Sequence, residues 1–286
     1  MTKYCAQLDD KTLLEISGSD ARNFLQNLIS NDMGKVDATN GLYAFLLSAQ
    51  GKYLHDFFLS QTTTKAGEDC FLLEVAKERS ADLKRRLTML KLRADVVLEE
   101  KTDVGVYAVW PVTNTNGTFG VQSEDDKISL NDGRADNLCH RVYSPNTLEA
   151  DATNEQFRSY LADKGVATGH TDFIIDKTTM MEAGLDGQHA VSWTKGCFVG
   201  QELTARMKYR GLVKRILVPT KQTIPAETPL LLDGKTVGTM QSDRFALVKR
   251  DAITFDESSL ETPTGEAVSF LKPDWWDRAE ATSAKT

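Results

Sequence analysis

An α+β fold is predicted by three observations on the 286-residue chain. Short apolar, β-rich runs are separated by glycine and polar turns. A few stretches of helical period fall among them without regular βαβ alternation. After Arg210 the texture changes to very short runs punctuated by Pro225, Gly234 and Gly238. Strands interleaved with a few helices build layers rather than a doubly wound sheet, and a chain of this length divides into two or three compact units.

The elements follow in order. Asp20 to Met33 carries Phe24, Leu25, Leu28 and Ile29 at helical spacing behind Ser19, an expected N-cap, and its apolar face should pack on a sheet. Strands are predicted at Tyr43 to Ser48, Asp56 to Ser60, Cys70 to Ala76, Ala94 to Glu99 and Val104 to Trp110. Between the third and fourth lies Glu78 to Leu92, where Leu83, Leu87 and Leu90 share one helical face and Lys84, Arg85 and Arg86 lie elsewhere. Asn114 to Gly133 is polar and turn-rich, a loop or irregular hairpin region. A third helix is predicted from Asn154 to Lys164, with Phe157, Tyr160 and Leu161 inward and Gly165 as its cap. Beyond Arg210, strands at Lys214 to Val218, Pro229 to Leu232, Thr236 to Met240 and Phe245 to Lys249 suit a small β-barrel or sandwich. Asp274 to Asp277 contains two tryptophans and reads as an aromatic anchor, followed by a frayed polar tail to Thr286.

Composition is that of a globular chain, with 41% hydrophobic and 26% charged residues. No run approaches the roughly 18 apolar residues that span a bilayer. The acidic start, Met1 to Asp10, lacks signal- or transit-peptide character, so a cytosolic protein is expected. A net charge of −7 argues against broad nucleic-acid binding, although Arg206, Lys208, Arg210, Lys214 and Arg215 form a local basic run. That run is either a solvated face or an attractor for an anionic ligand or acidic partner. A monomer is the simplest expectation.

Cysteines at 5, 70, 139 and 197 form no C-x-x-C pair and have no histidine at zinc spacing, so neither a structural zinc nor a disulfide framework is expected. Cys70 leads an apolar run and reads as a strand residue. Cys197 differs. In Lys195-Gly196-Cys197-Phe198-Val199-Gly200-Gln201-Glu202 a thiol stands beside a cation and between two glycines, which permit close backbone approach. A nearby ammonium favours the thiolate, the form that attacks or binds metal.

Continued through Leu203-Thr204-Ala205-Arg206, this segment resembles the signature of the YgfZ/GcvT-like family, folate-binding proteins that help assemble or repair iron–sulfur enzymes. The likeness extends to Gly18 through Gln26 with Ser30-Asn31-Asp32, to Leu46 through Lys52, and to Val237 through Ser242 with Ala246 through Arg250; residues 111 to 170 match least. It implies a three-lobed, folate-binding arrangement with a ferredoxin-like lobe and a C-terminal β-barrel. The corresponding division is residues 1–208 as a two-lobed folate-binding region and 209–286 as the barrel.

The aminomethyltransferases of the glycine cleavage system use the same scaffold, and there a Gly-Gly-x-x-Asp-Asp stretch supplies an essential aspartate. This chain reads Gly51-Lys52-Tyr53-Leu54-His55-Asp56, which puts His55 at the first aspartate. Histidine is neutral or cationic near neutral pH and is a poor substitute for an anion that steadies an iminium. Asp56 points to the opposite face of its strand. Met181-Glu182-Ala183-Gly184-Leu185 resembles the segment whose glutamate holds the pterin ring. A carboxylate suits that task because two oxygens accept paired N–H donors.

The resemblance therefore implies Cys197 as the functional thiol with Lys195 beside it, and Glu182, Asn31, His55 and Arg206 as cofactor contacts. Lys195 either tunes the thiol or pairs with a carboxylate. Arg206 either binds folate carboxylates or closes a domain interface. The expected cofactor is tetrahydrofolate or a derivative, with a transient iron–sulfur cluster for which Cys197 is a shared ligand. Expected partners are A-type iron–sulfur carriers or client enzymes. The expected role is assistance rather than conventional turnover; a folate-dependent aminomethyl transferase using Asp56 or Glu182 is the alternative.

Overall fold

The computed structural model describes residues 2–64, 67–113, 115–124, 126–256 and 260–278; the tail from 279 to Thr286, expected to fray, lies outside them. Two compact units emerge, one of residues 1–47, 54–157 and 189–199, the other of 48–53, 158–188 and 200–286.

The first unit holds β1 (Tyr4–Gln7), β2 (Lys11–Ser17), α1 (Ala21–Leu28), β3 (Leu42–Leu47), β4 (Tyr53–Thr63), β5 (Asp69–Ala76), α2 (Lys77–Lys91), β6 (Val97–Lys101), β7 (Gly105–Trp110), β8 (Val121–Glu124), β9 (Lys127–Asn131) and β10 (His140–Ser144), with the start of α3 (Asn154–Asp163). They form two five-stranded sheets, ordered β3-β4-β5-β2-β6 and β1-β7-β10-β9-β8. Every residue of β3 is buried, which explains its uninterrupted apolar run: a strand covered on both faces has no reason to alternate. Phe24 and Leu25 of α1 and Leu83 and Leu87 of α2 share one buried core with Leu73 and Val75 of β5.

Two expectations fail locally. Ser19 is not the N-cap of α1; Asp20 holds that position without a side-chain capping bond, its carboxylate instead accepting the Asp95 amide at 2.8 Å, and the Ser19 hydroxyl donates to Asp95 at 2.9 Å. Leu90 does not share the buried face of Leu83 and Leu87 but is 45% exposed, where it lines a surface groove with Phe24 and Leu28 of α1. The turn-rich stretch before Gly133 is a hairpin, β8 on β9, with Val121 opposite Leu130.

Between the two sheets lies an ionic core. Arg141 of β10 donates to Glu74 of β5 at 2.9 Å and to Asp132 at 3.4 Å, and Arg134 pairs with Asp132 at 2.7 Å. Both guanidinium groups stand over the Phe58 ring, Arg134 at 5.0 Å and Arg141 at 4.5 Å. Charges this deeply buried persist only when paired and hydrogen-bonded.

The second unit contains α4 (Gly169–Asp172), α5 (Gln201–Tyr209), β11 (Arg215–Pro219), β12 (Pro229–Leu232), β13 (Lys235–Met240), β14 (Phe245–Lys249), β15 (Leu260–Glu261) and β16 (Ala267–Val268). The strands run β11-β14-β13-β12-β15-β16 in one sheet. A bridge between Thr220 and Phe270 joins the chain just past β11 to that just past β16, so the sheet curls back on itself. The tryptophan pair anchors this unit: Trp275 is 1% exposed and its indole donates to the Gly165 carbonyl at 2.7 Å. Gly184, at φ +66°, lies where any Cβ would collide with the Trp275 ring.

Candidate functional site

Of the four cysteines, all free, Cys197 is the exposed one, while Cys70 and Cys139 are buried and Cys5 is half-buried. Burial pushes the Cys70 thiol up to about 12, and it raises Cys5 and Cys139 as well. These three are therefore held as thiols, and exposure singles out Cys197 for chemistry. Its neighbours make the exposure possible: Gly196 faces open space, whereas Phe198 is buried and Val199 packs against the core of the first unit.

Lys195 anchors the other side. Its ammonium donates to the carbonyls of Gln26, Ile29 and Asn31 at 2.6, 2.7 and 2.8 Å. An ammonium has three donors and all three are used, on the C-terminal end of α1, where unpaired carbonyls and the helix dipole favour a cation. Burial pulls this amine down to about 8, while Asp32 acts in the other direction. Tuning of the thiol through a direct Lys195 hydrogen bond is thereby closed off, and the alternative of a lysine–carboxylate contact gives way to three backbone carbonyls.

Asn31 belongs to the same junction. Its amide donates to the carbonyls of Tyr43 and His189 at 2.9 and 2.8 Å, and its oxygen accepts from the Asp32 amide at 3.0 Å. Ser30 adds a 2.7 Å bond from its hydroxyl to the Ala190 carbonyl. The segment that leads to Cys197 is thus laced to the α1–β3 connection, a relationship across some 160 residues that no local pattern announces.

His55 and Asp56 diverge, as neighbours on a strand must. His55, 3% exposed, shares a 3.0 Å hydrogen bond between Nε2 and the carboxylate of Asp82 on α2. Burial, with Arg79 adding to it, pulls the imidazole down to about 4, so it is neutral near pH 7 and donates to Asp82. Arg79, Arg85 and Arg86 also converge on Asp82. Asp56 instead accepts the Tyr43 hydroxyl at 2.8 Å.

Glu182 and Arg206 lie in the second unit. Glu182 borders a cavity of about 180 Å³ also lined by Lys177, Arg215 and Gln241. Its carboxylate accepts from Thr179 at 2.9 Å and from Arg215 at 3.1 Å, and its carbonyl accepts the Leu217 amide at 2.7 Å. Arg215 is the residue here that sequence reasoning placed only within a basic run; its proximity to Glu182 follows from the pairing of that carbonyl with β11. Arg206 sits in the last turn of α5, more than half exposed, 3.9 Å from Glu202. Such a surface pair contributes little. Gly51 is needed in this unit: at φ +71°, a Cβ there would press on the Gly200 carbonyl and Leu203 at the start of α5.

No family model matches the chain. Over 74% of its length it is 33% identical to the mitochondrial iron–sulfur cluster assembly factor IBA57 homolog of Pyricularia oryzae, of which it spans 56%. Across 95% of its length it is 28% identical to the human mitochondrial IBA57, spanning 85% of that protein. Homologues of this chain are IBA57 iron–sulfur cluster assembly factors. The fungal IBA57 relatives are much longer, and the chain spans just over half of each of those from Pyricularia and Neurospora. Among solved structures, glycine cleavage system aminomethyltransferase T from Bartonella henselae has a TM-score of 0.75 over 96% of this chain and 86% of its own, at 15% identity. That likeness shows the fold: the α+β scaffold expected from the sequence is the aminomethyltransferase scaffold.

The expected cytosolic location is overturned by the IBA57 relatives, which are named as mitochondrial and point to the mitochondrion instead. Compartment is set by targeting segments that receptors read, and the composition of a folded domain does not encode it. Among the described residues, no helix is long and apolar enough to cross a membrane, and no three His, Cys, Asp or Glu side chains converge on a metal-sized site.

Proposed function

We propose that this chain is an accessory factor in iron–sulfur cluster assembly or repair that acts through Cys197 and binds a reduced folate. The observation that carries the reading is the contrast among thiols: Cys197 is exposed on a short segment fixed at both ends, by Lys195 on α1 and by Phe198 in the interior, while Cys70 and Cys139 are buried. A rigidly displayed single thiolate is a poor holder of a whole cluster, which several cysteines normally ligate. Cys197 therefore shares its cargo with a carrier or client protein that brings the remaining ligands. A-type carriers have the matching role, and the Lys-Gly-Cys-Phe-Val-Gly-Gln-Glu motif supports kinship with the YgfZ branch.

The folate part of the reading rests on Glu182. Its carboxylate edge suits paired N–H donors, and the Arg215 guanidinium, 3.1 Å away, holds that edge in place. At about 180 Å³ the cavity is smaller than the roughly 300–1,000 Å³ of whole-ligand pockets, so it fits one end of such a molecule. The aminomethyl-transfer alternative is disfavoured by His55, which is neutral and committed to Asp82 where the transferases carry an anion.

The deciding experiment is rescue of an iron–sulfur enzyme's activity in mitochondria lacking the endogenous homologue, with wild type and Cys197→Ser at equal protein level. Rescue by wild type alone is expected. Equal rescue by both would remove the thiol from the function.

A further inference from the structure

Eight large hydrophobic side chains are strongly exposed among the described residues, and four of them fall within nine positions, from the last turn of α2 to the first residue of β6: Met89 at 64%, Leu90 at 45%, Leu92 at 85% and Val97 at 46%. Scattered exposed hydrophobics need no explanation, but a cluster within one short stretch does. Leu92 is the extreme case, since it holds φ at 48° as the C-cap residue while its side chain projects into solvent. A leucine in the left-handed region is strained, and so exposed a side chain makes little compensating contact inside the fold.

Beside this tip lies a shallow groove of about 300 Å³ between the length of α1 and the end of α2, walled by Phe24, Leu28, Leu90 and Ala94 and also lined by Asp20 and Lys91. The surrounding charge is distinctive. From Arg79 to Asp95 there are six lysines and arginines and two carboxylates, in a chain whose net charge is −7. Asp82 is occupied by Arg79, Arg85 and Arg86, and the Lys91 ammonium donates to the Val96 carbonyl at 2.6 Å. Lys84 and Arg93 form no ion pair among those found in the described residues.

We propose that the end of α2 is a docking surface for an acidic protein segment, which inserts an aliphatic side chain into the groove beside Leu90 and sets its carboxylates against Lys84 and Arg93. Charge complementarity selects the acidic partner and the concave apolar groove selects a side-chain anchor. A lipid surface fits less well, because a bilayer offers no protruding side chain to anchor in a concave groove. This surface is independent of Cys197, so the proposal goes beyond the assembly role and can fail without it.

The test uses the full chain and a fluorescent synthetic peptide of amphipathic helix pattern, leucines on one face and glutamates on the other, followed by anisotropy. Saturable binding is expected. Leu90→Ser with Leu92→Ser, and separately Lys84→Glu with Arg93→Glu, should each weaken it about tenfold. A version of the peptide with lysines in place of glutamates should not bind. In wild type alone, added salt should weaken the complex, which keeps the test valid should a variant melt early. Absence of saturable binding, equal binding by all forms, or insensitivity to salt would overturn the proposal. So would co-sedimentation with phosphatidylglycerol vesicles that the leucine variant loses while the peptide fails to bind, since that result makes the surface a membrane seat.

Discussion

The Lys195 ammonium lies 2.7 Å from the Ile29 carbonyl, so a residue two positions before the exposed thiol serves as the C-terminal cap of a helix that begins at Ala21. The motif's cation thus acts on the backbone that carries the thiol, with Gln26 and Asn31 completing the set of acceptors.

Lys195→Met should leave these carbonyls without donors and lower stability by roughly 3 kcal/mol, the scale of a few buried unsatisfied groups. A spin label on Cys197 should also become more mobile. Lys195→Arg should rescue poorly, because a planar guanidinium cannot aim at three acceptors that converge on one atom. Urea denaturation and the label's line shape check both. An immobile label in the methionine variant would show that Phe198 alone seats the segment.

Acidification should expose the His55 contribution. Its folded value of about 4 lies below the ordinary 6.5, so the unfolded chain binds a proton that the folded chain resists. The contribution is fully present above pH 6.5 and is lost as the pH falls through about 4. The shift sets an upper figure of about 3 kcal/mol. His55→Gln should therefore flatten stability against pH across that window. Parallel curves for the two proteins in urea titrations would refute it.

Glu74→Leu should destabilise by about 3–5 kcal/mol, because it strands the buried Arg141 guanidinium. Glu74 and Arg141 side chains are 1% and 3% exposed, respectively, which leaves water little access to the orphaned charge. Calorimetric melting of the variant gives the magnitude. A loss below about 1 kcal/mol would mean that Asp132 satisfies the arginine alone.

Glu182→Ala should weaken tetrahydrofolate binding about tenfold in isothermal titration, the scale of one charge-assisted hydrogen-bonding group. Arg215→Ala distinguishes the carboxylate's role from its partner's: removing the guanidinium that orients Glu182 should weaken binding by a smaller factor, equally for mono- and polyglutamylated forms. Unchanged affinity in both would move the folate site away from this cavity.

Much of the fold was legible because local chemistry dictates it. The apolar run of β3, the Leu83 and Leu87 spacing of α2 and the glycine-punctuated strands after Arg210 all appear where period and turn chemistry place them. The limits were equally physical. α5 leaves no helical signature in the sequence because its buried residues are only Thr204 and Met207, too few to produce an apolar stripe. Ser19 looked like a cap, but a hydroxyl bonds to whichever acceptor the fold brings near, here Asp95.

By itself the sequence determined the α+β class, the order of most elements and the identity of the thiol in its glycine-flanked motif, since each depends on neighbours along the chain. Tertiary structure alone decided which groups meet across it. It turned Lys195 from a neighbour of Cys197 into a cap on α1, committed His55 to Asp82, set Arg215 against Glu182 and buried two arginines over Phe58. Hydrogen bonds and ion pairs form between atoms a few ångströms apart in space, and for residues from 27 to 166 positions apart that distance is set only when the layers pack.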